Sequence, residues 1–204
     1  MAATFLKLPA LRPLPLAEQL PAGRLIEIAS AADGAQMTAA VACLQHAQAQ
    51  GETAAWVQPA GGTLFPPDLA DSGVDLEALL IVNVPVNAGA FAAVKAAELL
   101  LRSGGFGLLI LDMREQRAQG LARDSAWQGR LLGVAREHDS RIVLLSAGVG
   151  HTGSLGPLVS VCIEPHRKRL ARGLFAVEHR VRKDKSGLLS TLADEPRRGP
   201  PGLL

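Results

Sequence analysis

Residues 23–38, Gly23-Arg24-Leu25-Ile26-Glu27-Ile28-Ala29-Ser30-Ala31-Ala32-Asp33-Gly34-Ala35-Gln36-Met37-Thr38, run from an apolar strand through a small-residue turn into a helix. This is the layout in which backbone amides cradle a polyphosphate. That chemistry needs glycines for close backbone approach, a Lys for the phosphate charge and a Ser or Thr hydroxyl on Mg²⁺. Gln36 and Met37 stand where the Lys and the hydroxyl belong, and Ser30 and Ala35 stand where glycines belong. The loop formed by Ser30, Asp33, Gly34, Ala35, Gln36 and Met37 therefore has the shape of a nucleotide site without its chemistry, and no cofactor is expected. Read locally, Asp33 and Gln36 make a D-x-x-Q capping pair: Asp33 caps the helix amides and Gln36 reaches back to the Asp33 amide.

A second group of chemistry-bearing residues lies near the C-terminus. Residues 166–185 hold eight Lys and Arg against two carboxylates, whereas residues 1–165 hold 11 against 15. The cations are Arg167, Lys168, Arg169, Arg172, Arg180, Arg182, Lys183 and Lys185. Three readings are open: a solvated hairpin whose charges guard an edge strand, a surface for DNA phosphates, or a surface for an acidic protein partner. Elsewhere the sequence offers little for catalysis. His46, His138, His151, His166 and His179 form no pair at metal-ligand spacing on one element, and Ser146 and Ser154 near His151 lack a nucleophile-elbow context. Cys43 and Cys162 belong to no CxxC or Cys/His cluster, so both are expected as reduced core residues, with no metal site.

The elements that must position these groups alternate. At 204 residues and 48% apolar content the chain is the size of one α/β domain. Apolar strands at 24–29, 53–58, 79–84, 107–111 and 141–146, separated by helices at 34–50, 89–102 and 125–138, predict a mostly parallel sheet with helices on both faces. Residues 1–22, with Pro9, Pro13, Pro15 and Pro21, predict an extended arm with one short turn around Leu16 to Leu20. After residue 146 a loop from Gly148 to Pro157 leads into strands near 158–163, 174–182 and 188–192, an antiparallel C-terminal extension of the sheet. The core domain is expected over 23–192 and a disordered tail over 193–204. The apolar stretch from Leu79 to Leu101 is interrupted by Asn83, Pro85, Asn87, Lys95 and Glu98, which predicts no membrane span. The first seven residues lack a signal-peptide pattern, so a cytoplasmic protein is expected.

With these segments in order, residues 14–190 resemble the core domain of the RecA recombinase family. Gly23-Arg24-Leu25-Ile26-Glu27-Ile28 is similar to its first strand. Gly51-Glu52-Thr53 leads into the second, Gly73-Val74-Asp75-Leu76-Glu77-Ala78-Leu79-Leu80 into the third, and Arg102-Ser103-Gly104 precedes Leu108-Leu109-Ile110-Leu111-Asp112. Val181-Arg182-Lys183-Asp184-Lys185 resembles the family's V-K-N-K strand, whose lysines reach a neighbouring subunit's nucleotide. Asp112 matches the family's Mg²⁺-associated Asp and is expected to be structural here. The family's Glu after the second strand has no counterpart in Trp56-Val57-Gln58-Pro59-Ala60. The family's two DNA-binding loops correspond to residues 115–123, near Arg114, Arg117 and Arg123, and to residues 148–157, which carry no Lys or Arg.

Among relatives that lack a working nucleotide loop, the chain is most similar to the ImuA proteins of the SOS mutasome. That resemblance implies a non-enzymatic accessory protein in SOS-induced translesion mutagenesis and DNA repair. Its implied partners are recombinase RecA, an ImuB-like polymerase homologue and a DnaE-type polymerase, with weak DNA binding and a nucleoid-associated location. The alternatives are a SulA-like division inhibitor that binds a tubulin-like GTPase, and a DNA-binding recombination regulator.

Overall fold

The computed structural model describes residues 13–31, 34–62, 64–114, 125–148, 154–187, 189 and 192–198. The elements in chain order are α1 (Leu16–Gln19), β1 (Arg24–Ala29), α2 (Gln36–Ala49), β2 (Ala54–Pro59), α3 (Pro66–Asp71), β3 (Leu79–Val84), α4 (Ala90–Arg102), β4 (Leu108–Asp112), α5 (Ala126–Glu137), β5 (Arg141–Ser146), β6 (Val159–Ala171), β7 (Leu174–Asp184) and β8 (Glu195–Arg198). One 8-stranded sheet has the order β3-β2-β4-β5-β1-β6-β7-β8. The first six strands in that order run parallel, and β7 and β8 are antiparallel additions. The expected α/β architecture is therefore present, mostly parallel with an antiparallel end.

Strands buried on both faces explain why β1, β2, β4 and β5 are almost wholly apolar. Alternate side chains feed two cores. Leu25, Ala29, Ala55, Val57, Leu109, Leu111, Ile142 and Leu144 meet Ala93, Val94, Ala97 and Leu101 of α4 and Trp127, Leu131 and Ala135 of α5. Ile26, Ile28, Ala54, Trp56, Leu108, Ile110, Val143 and Leu145 meet Leu16 and Ala17 of α1, Ala39, Ala40, Cys43 and Leu44 of α2, and Leu69 of α3.

The arm docks on its own core. Leu16, Ala17 and Leu20 are buried, Arg141 Nε donates to Leu20 O, and Leu14 bridges Leu192. Arg141 also donates through Nη1 to both Glu52 oxygens, at 2.8 and 2.7 Å. Residues 1–12 of the predicted arm lie outside the described residues.

Three expectations need correction. The strand next to β7 is not 188–192 but Glu195–Arg198, inside the tail expected to be disordered; the sequence Glu-Pro-Arg-Arg has no apolar alternation, and backbone pairing to β7 alone makes it a strand. The first C-terminal strand is not antiparallel to the sheet: β6 pairs parallel with β1, so the antiparallel part begins at β7. β6 also runs on to Ala171, because its ladder with β7 continues through polar residues. In addition, α3 occupies a stretch that reads as loop, with Pro66 and Pro67 at the first turn, where no intrahelical N–H is needed.

Glu98 locks α4 to α5. Its carboxylate accepts Arg102 Nε and Nη2 at 3.1 and 2.9 Å and lies 3.5 Å from Arg130 Nε. Hydrogen bonding from Arg102 holds its pKa below 4.5 despite opposing desolvation. A depressed native pKa contributes stability that is present above the unfolded value and lost as pH falls through the native one. Wild type should therefore exceed Glu98→Gln in urea midpoint at neutral pH, and the gap should close on acidification below pH 4.5. A gap independent of pH would contradict this.

Candidate functional site

The turn between β1 and α2 is filled from within. Gln36, 4% exposed, sits at the first position of α2, and its Nε2 donates to Ile28 O and, at 2.8 Å, to Ser146 O. These carbonyls lie near the ends of β1 and β5, and Ser146 O also accepts Ser30 N, so the buried amide places both of its N–H groups on backbone acceptors. The capping-box reading did not foresee this role; its other half, Asp33, lies outside the described residues.

The surrounding amides are also committed. Ser30 N donates to Ser146 O at 2.9 Å, Gly34 N to Ala31 O at 3.1 Å and Ala35 N to Pro165 O at 3.4 Å. Gly148, at φ +92, packs against Ser30 O, where an added Cβ would lie 3.1 Å away. Met37 is half-buried against the α2 core layer. A phosphate cradle presents outward amides and a cation. Here Ala35 N faces a neighbouring strand, and the side chain in the Lys position is neutral and inward.

Asp112, at the end of β4 and 3% exposed, accepts Arg114 N, Nε and Nη2 at 3.1, 2.9 and 2.6 Å. Its charge is balanced by a guanidinium fork of the same chain. Residues 115–124 and 149–153, which include Arg117, Arg123 and His151, lie outside the described residues. Among the described residues no three His, Cys, Asp or Glu side chains group to hold a metal, and no helix is long and apolar enough to cross a membrane.

Next to the filled loop lies a buried polar cluster that sequence reasoning missed. Glu27, 0% exposed, accepts Ser146 Oγ at 2.6 Å and Leu155 N at 2.7 Å, and the Cys162 thiol hydrogen-bonds to it. Burial raises its pKa above 4.5. Burial first, and the Glu27 charge second, push the Cys162 thiol up to about 12, so it is an inert core group. Cys43 is likewise buried. The signal available in the sequence was a lone carboxylate in an otherwise apolar strand, a residue that must find partners.

Lys183 and Lys185 belong to the same assembly. Lys183 Nζ donates to Ser154 Oγ at 2.9 Å and Gly156 O at 3.0 Å, and Lys185 Nζ donates to Pro157 O at 3.2 Å. Desolvation lowers the Lys183 pKa, with Lys185 adding to the effect. Both amines thus tie β7 to the 154–157 loop. Gln128 of α5 fastens the loop from the other side, donating to Leu155 O and accepting Leu158 N. A Cβ on Gly156 would overlap the Gln128 amide. Gly156→Ala should therefore displace a fully buried amide and cost about 2–3 kcal/mol in chemical denaturation. A loss under about 0.5 kcal/mol would show that the amide simply rotates away.

The remaining predicted cations are on the β6–β7 hairpin, and Arg167, Lys168, Arg169, Arg172, Arg180 and Arg182 are all exposed. The structure brings them together on one projecting ribbon. Lys168 pairs with Glu178 at 2.6 Å, and Arg182 lies 3.6 Å from Glu164. An open surface depression of about 690 Å³ on this ribbon is lined by His166, Arg167, Lys168, Glu178, His179 and Arg180. Lys183 and Lys185, the last two cations of the basic group read from the sequence, direct their amines to the 154–157 loop.

Comparison with known proteins gives a consistent family. The RecA N-terminal domain family matches residues 16–118, which carry β1 to β4 and the filled loop. Protein RecA of Mycolicibacterium gilvum (strain PYR-GCK) is 34% identical to the chain over 93 residues. Protein RecA of Mycolicibacterium vanbaalenii (strain DSM 7251) is 33% identical, also over 93 residues. Each match covers 46% of this chain and 25% of the relative, so the chain spans about a quarter of the length of the curated relatives it matches.

Proposed function

The chain belongs to the RecA N-terminal domain family, and from that premise we propose that it is a nucleotide-independent member that works by binding proteins. In this reading it is an accessory factor of SOS-induced translesion mutagenesis. It docks on recombinase RecA and on polymerase subunits of the ImuB and DnaE types, and it modulates the RecA filament. The observation that carries the reading is Gln36: the Lys position of the phosphate loop holds a neutral amide buried between Ile28 O and Ser146 O. A family fold whose nucleotide loop is plugged by its own side chain retains its surfaces as its working parts.

The test has two arms. Tagged full-length protein recovered from DNA-damaged cells should bring down the recombinase and polymerase subunits. Purified protein should then change RecA filament growth on single-stranded DNA when present below stoichiometry. Recovery of a tubulin-like division GTPase in their place, or filament growth unaltered at equimolar protein, would overturn the assignment.

A further inference from the structure

The end of β2 leaves a buried polar group unanswered. Gln58, 4% exposed, sits one residue before the end of β2, and its Nε2 donates to Asn83 Oδ1 on β3 at 3.0 Å. Its Oε1 is buried and has no hydrogen-bond partner among the described residues. Two amides of the adjoining loop are already spent: Ala60 N donates to Val84 O at 2.7 Å and Gly62 N to Pro59 O at 2.9 Å. A Cβ on Gly62 would lie 2.6 Å from Gln58 Oε1, so the glycine is what leaves the oxygen room. Exchanging N and O in both amides would keep the bond between them and put Gln58 Nε2 in the orphan position. One buried group of Gln58 is therefore unpaired in either orientation.

This group lines a cavity. An open space of about 470 Å³ lies between the ends of β2 and β3 and the loop into α3. Gln58 and Asn83 supply its polar lining, Leu64, Pro66 and Ile81 its apolar lining, and Gly61 and Gly62 bare backbone. Small-molecule sites occupy about 300–1,000 Å³. No described side chain lining the space carries a charge. Asn83 is exposed, and nothing among the described residues takes its Nδ2. Trp56, two residues before Gln58 on the same face of β2 and in register with Ile81, is fully buried. Its indole N–H also lacks a partner among the described residues. β4 and β5 separate this place from the filled loop after β1.

We propose that the β2–β3 cavity binds a neutral carboxamide. Gln58 Oε1 accepts the ligand's N–H, Asn83 Nδ2 donates to its C=O, and its apolar body packs on Leu64, Pro66 and Ile81. A buried acceptor without a donor is costly, and a ligand that supplies the donor recovers that cost. A carboxamide carries a donor and an acceptor side by side, so it answers Gln58 in either orientation of the amide. A carboxylate has acceptors only and would bring a charge into a space with no described cation on its walls. A free small amide and the Asn or Gln side chain of a partner protein share this chemistry. The site stands or falls independently of the partners proposed above.

The experiment is a proton–nitrogen correlation NMR titration of the full chain with three probes: nicotinamide, nicotinate and N-acetylglutamine amide. Saturable shifts at the Gln58 side-chain amide, Gly62 N and the Trp56 indole support the proposal when either amide binds at least about 10-fold more tightly than nicotinate. The ratio of the two amides separates a free ligand from a partner's side chain. Gln58→Leu replaces the orphaned carbonyl with an apolar group, and it should remove the preference for amide over carboxylate while the melting temperature holds or rises. Gly62→Ala puts a methyl group beside Oε1 and should weaken nicotinamide binding by about 10-fold. Equal responses to nicotinamide and nicotinate, as for a cavity that holds only water, would overturn the proposal. So would the absence of saturable shifts with both amides up to about 10 mM. Amide selectivity retained in Gln58→Leu, or a lowered melting temperature that makes the Gln58 amide structural, would overturn it as well.

Discussion

Glu27→Ala should lower the unfolding free energy by about 2–4 kcal/mol, because it leaves a buried backbone N–H and a buried hydroxyl without their acceptor. The donors are Leu155 N and Ser146 Oγ, and the Cys162 thiol loses its partner as well. The damage should concentrate in the 154–157 loop, since Leu155 N is fixed to the sheet through Glu27. Hydrogen exchange at Leu155 should accelerate more than exchange in α2, and equal acceleration in both would indicate global weakening instead.

The same residue gives a pH signature. Desolvation raises the native pKa of Glu27 above 4.5. Between 4.5 and the raised value, the native state keeps a proton that the unfolded chain has released, so this group's contribution to stability falls as pH rises through that window. Glu27→Gln cannot titrate. The stability of wild type relative to Glu27→Gln should be greatest below pH 4.5 and decline as pH rises through the native pKa. Urea unfolding of both proteins across this range measures it, and a flat or rising difference would refute the assignment.

What the sequence made legible follows from which contacts are local. β1, β2, β4 and β5 were recognisable because strands covered on both faces must be continuously apolar. The degenerate loop was recognisable because a phosphate cradle tolerates few residue types, and Gln36 is not one of them. The partners of Gln36 and Glu27 were not legible. Ser146 lies 110 residues from Gln36 and 119 from Glu27, and Leu155 lies 128 from Glu27, so only the β1–β5 and β1–β6 pairings create these contacts. β8 was missed for a different reason. An edge strand on a projecting ribbon needs backbone pairing but no buried face, so it leaves no alternation to read.

Gln36→Ala and Gln36→Lys separate the structural role of this position from the lost chemistry. Gln36→Ala removes the buried side-chain donor to Ile28 O and one of the two donors to Ser146 O, which keeps Ser30 N, and should cost about 1–3 kcal/mol. Gln36→Lys should fall between that variant and wild type, because an ammonium can donate to both carbonyls but carries its charge into a site that is 4% exposed. Neither should bind ATP·Mg²⁺ with a Kd tighter than about 1 mM, which corresponds to about 4 kcal/mol. The Lys would restore only one of the missing parts. Ala35 N would still face Pro165 O, Asp112 would still be held by Arg114, Met37 would still lack a hydroxyl, and Ala60 would still follow β2 without a carboxylate. Calorimetric titration of wild type and both variants is the measurement. Micromolar affinity in wild type would end the nucleotide-independent reading, and micromolar affinity gained by Gln36→Lys alone would show that the loop amides remain free to turn outward.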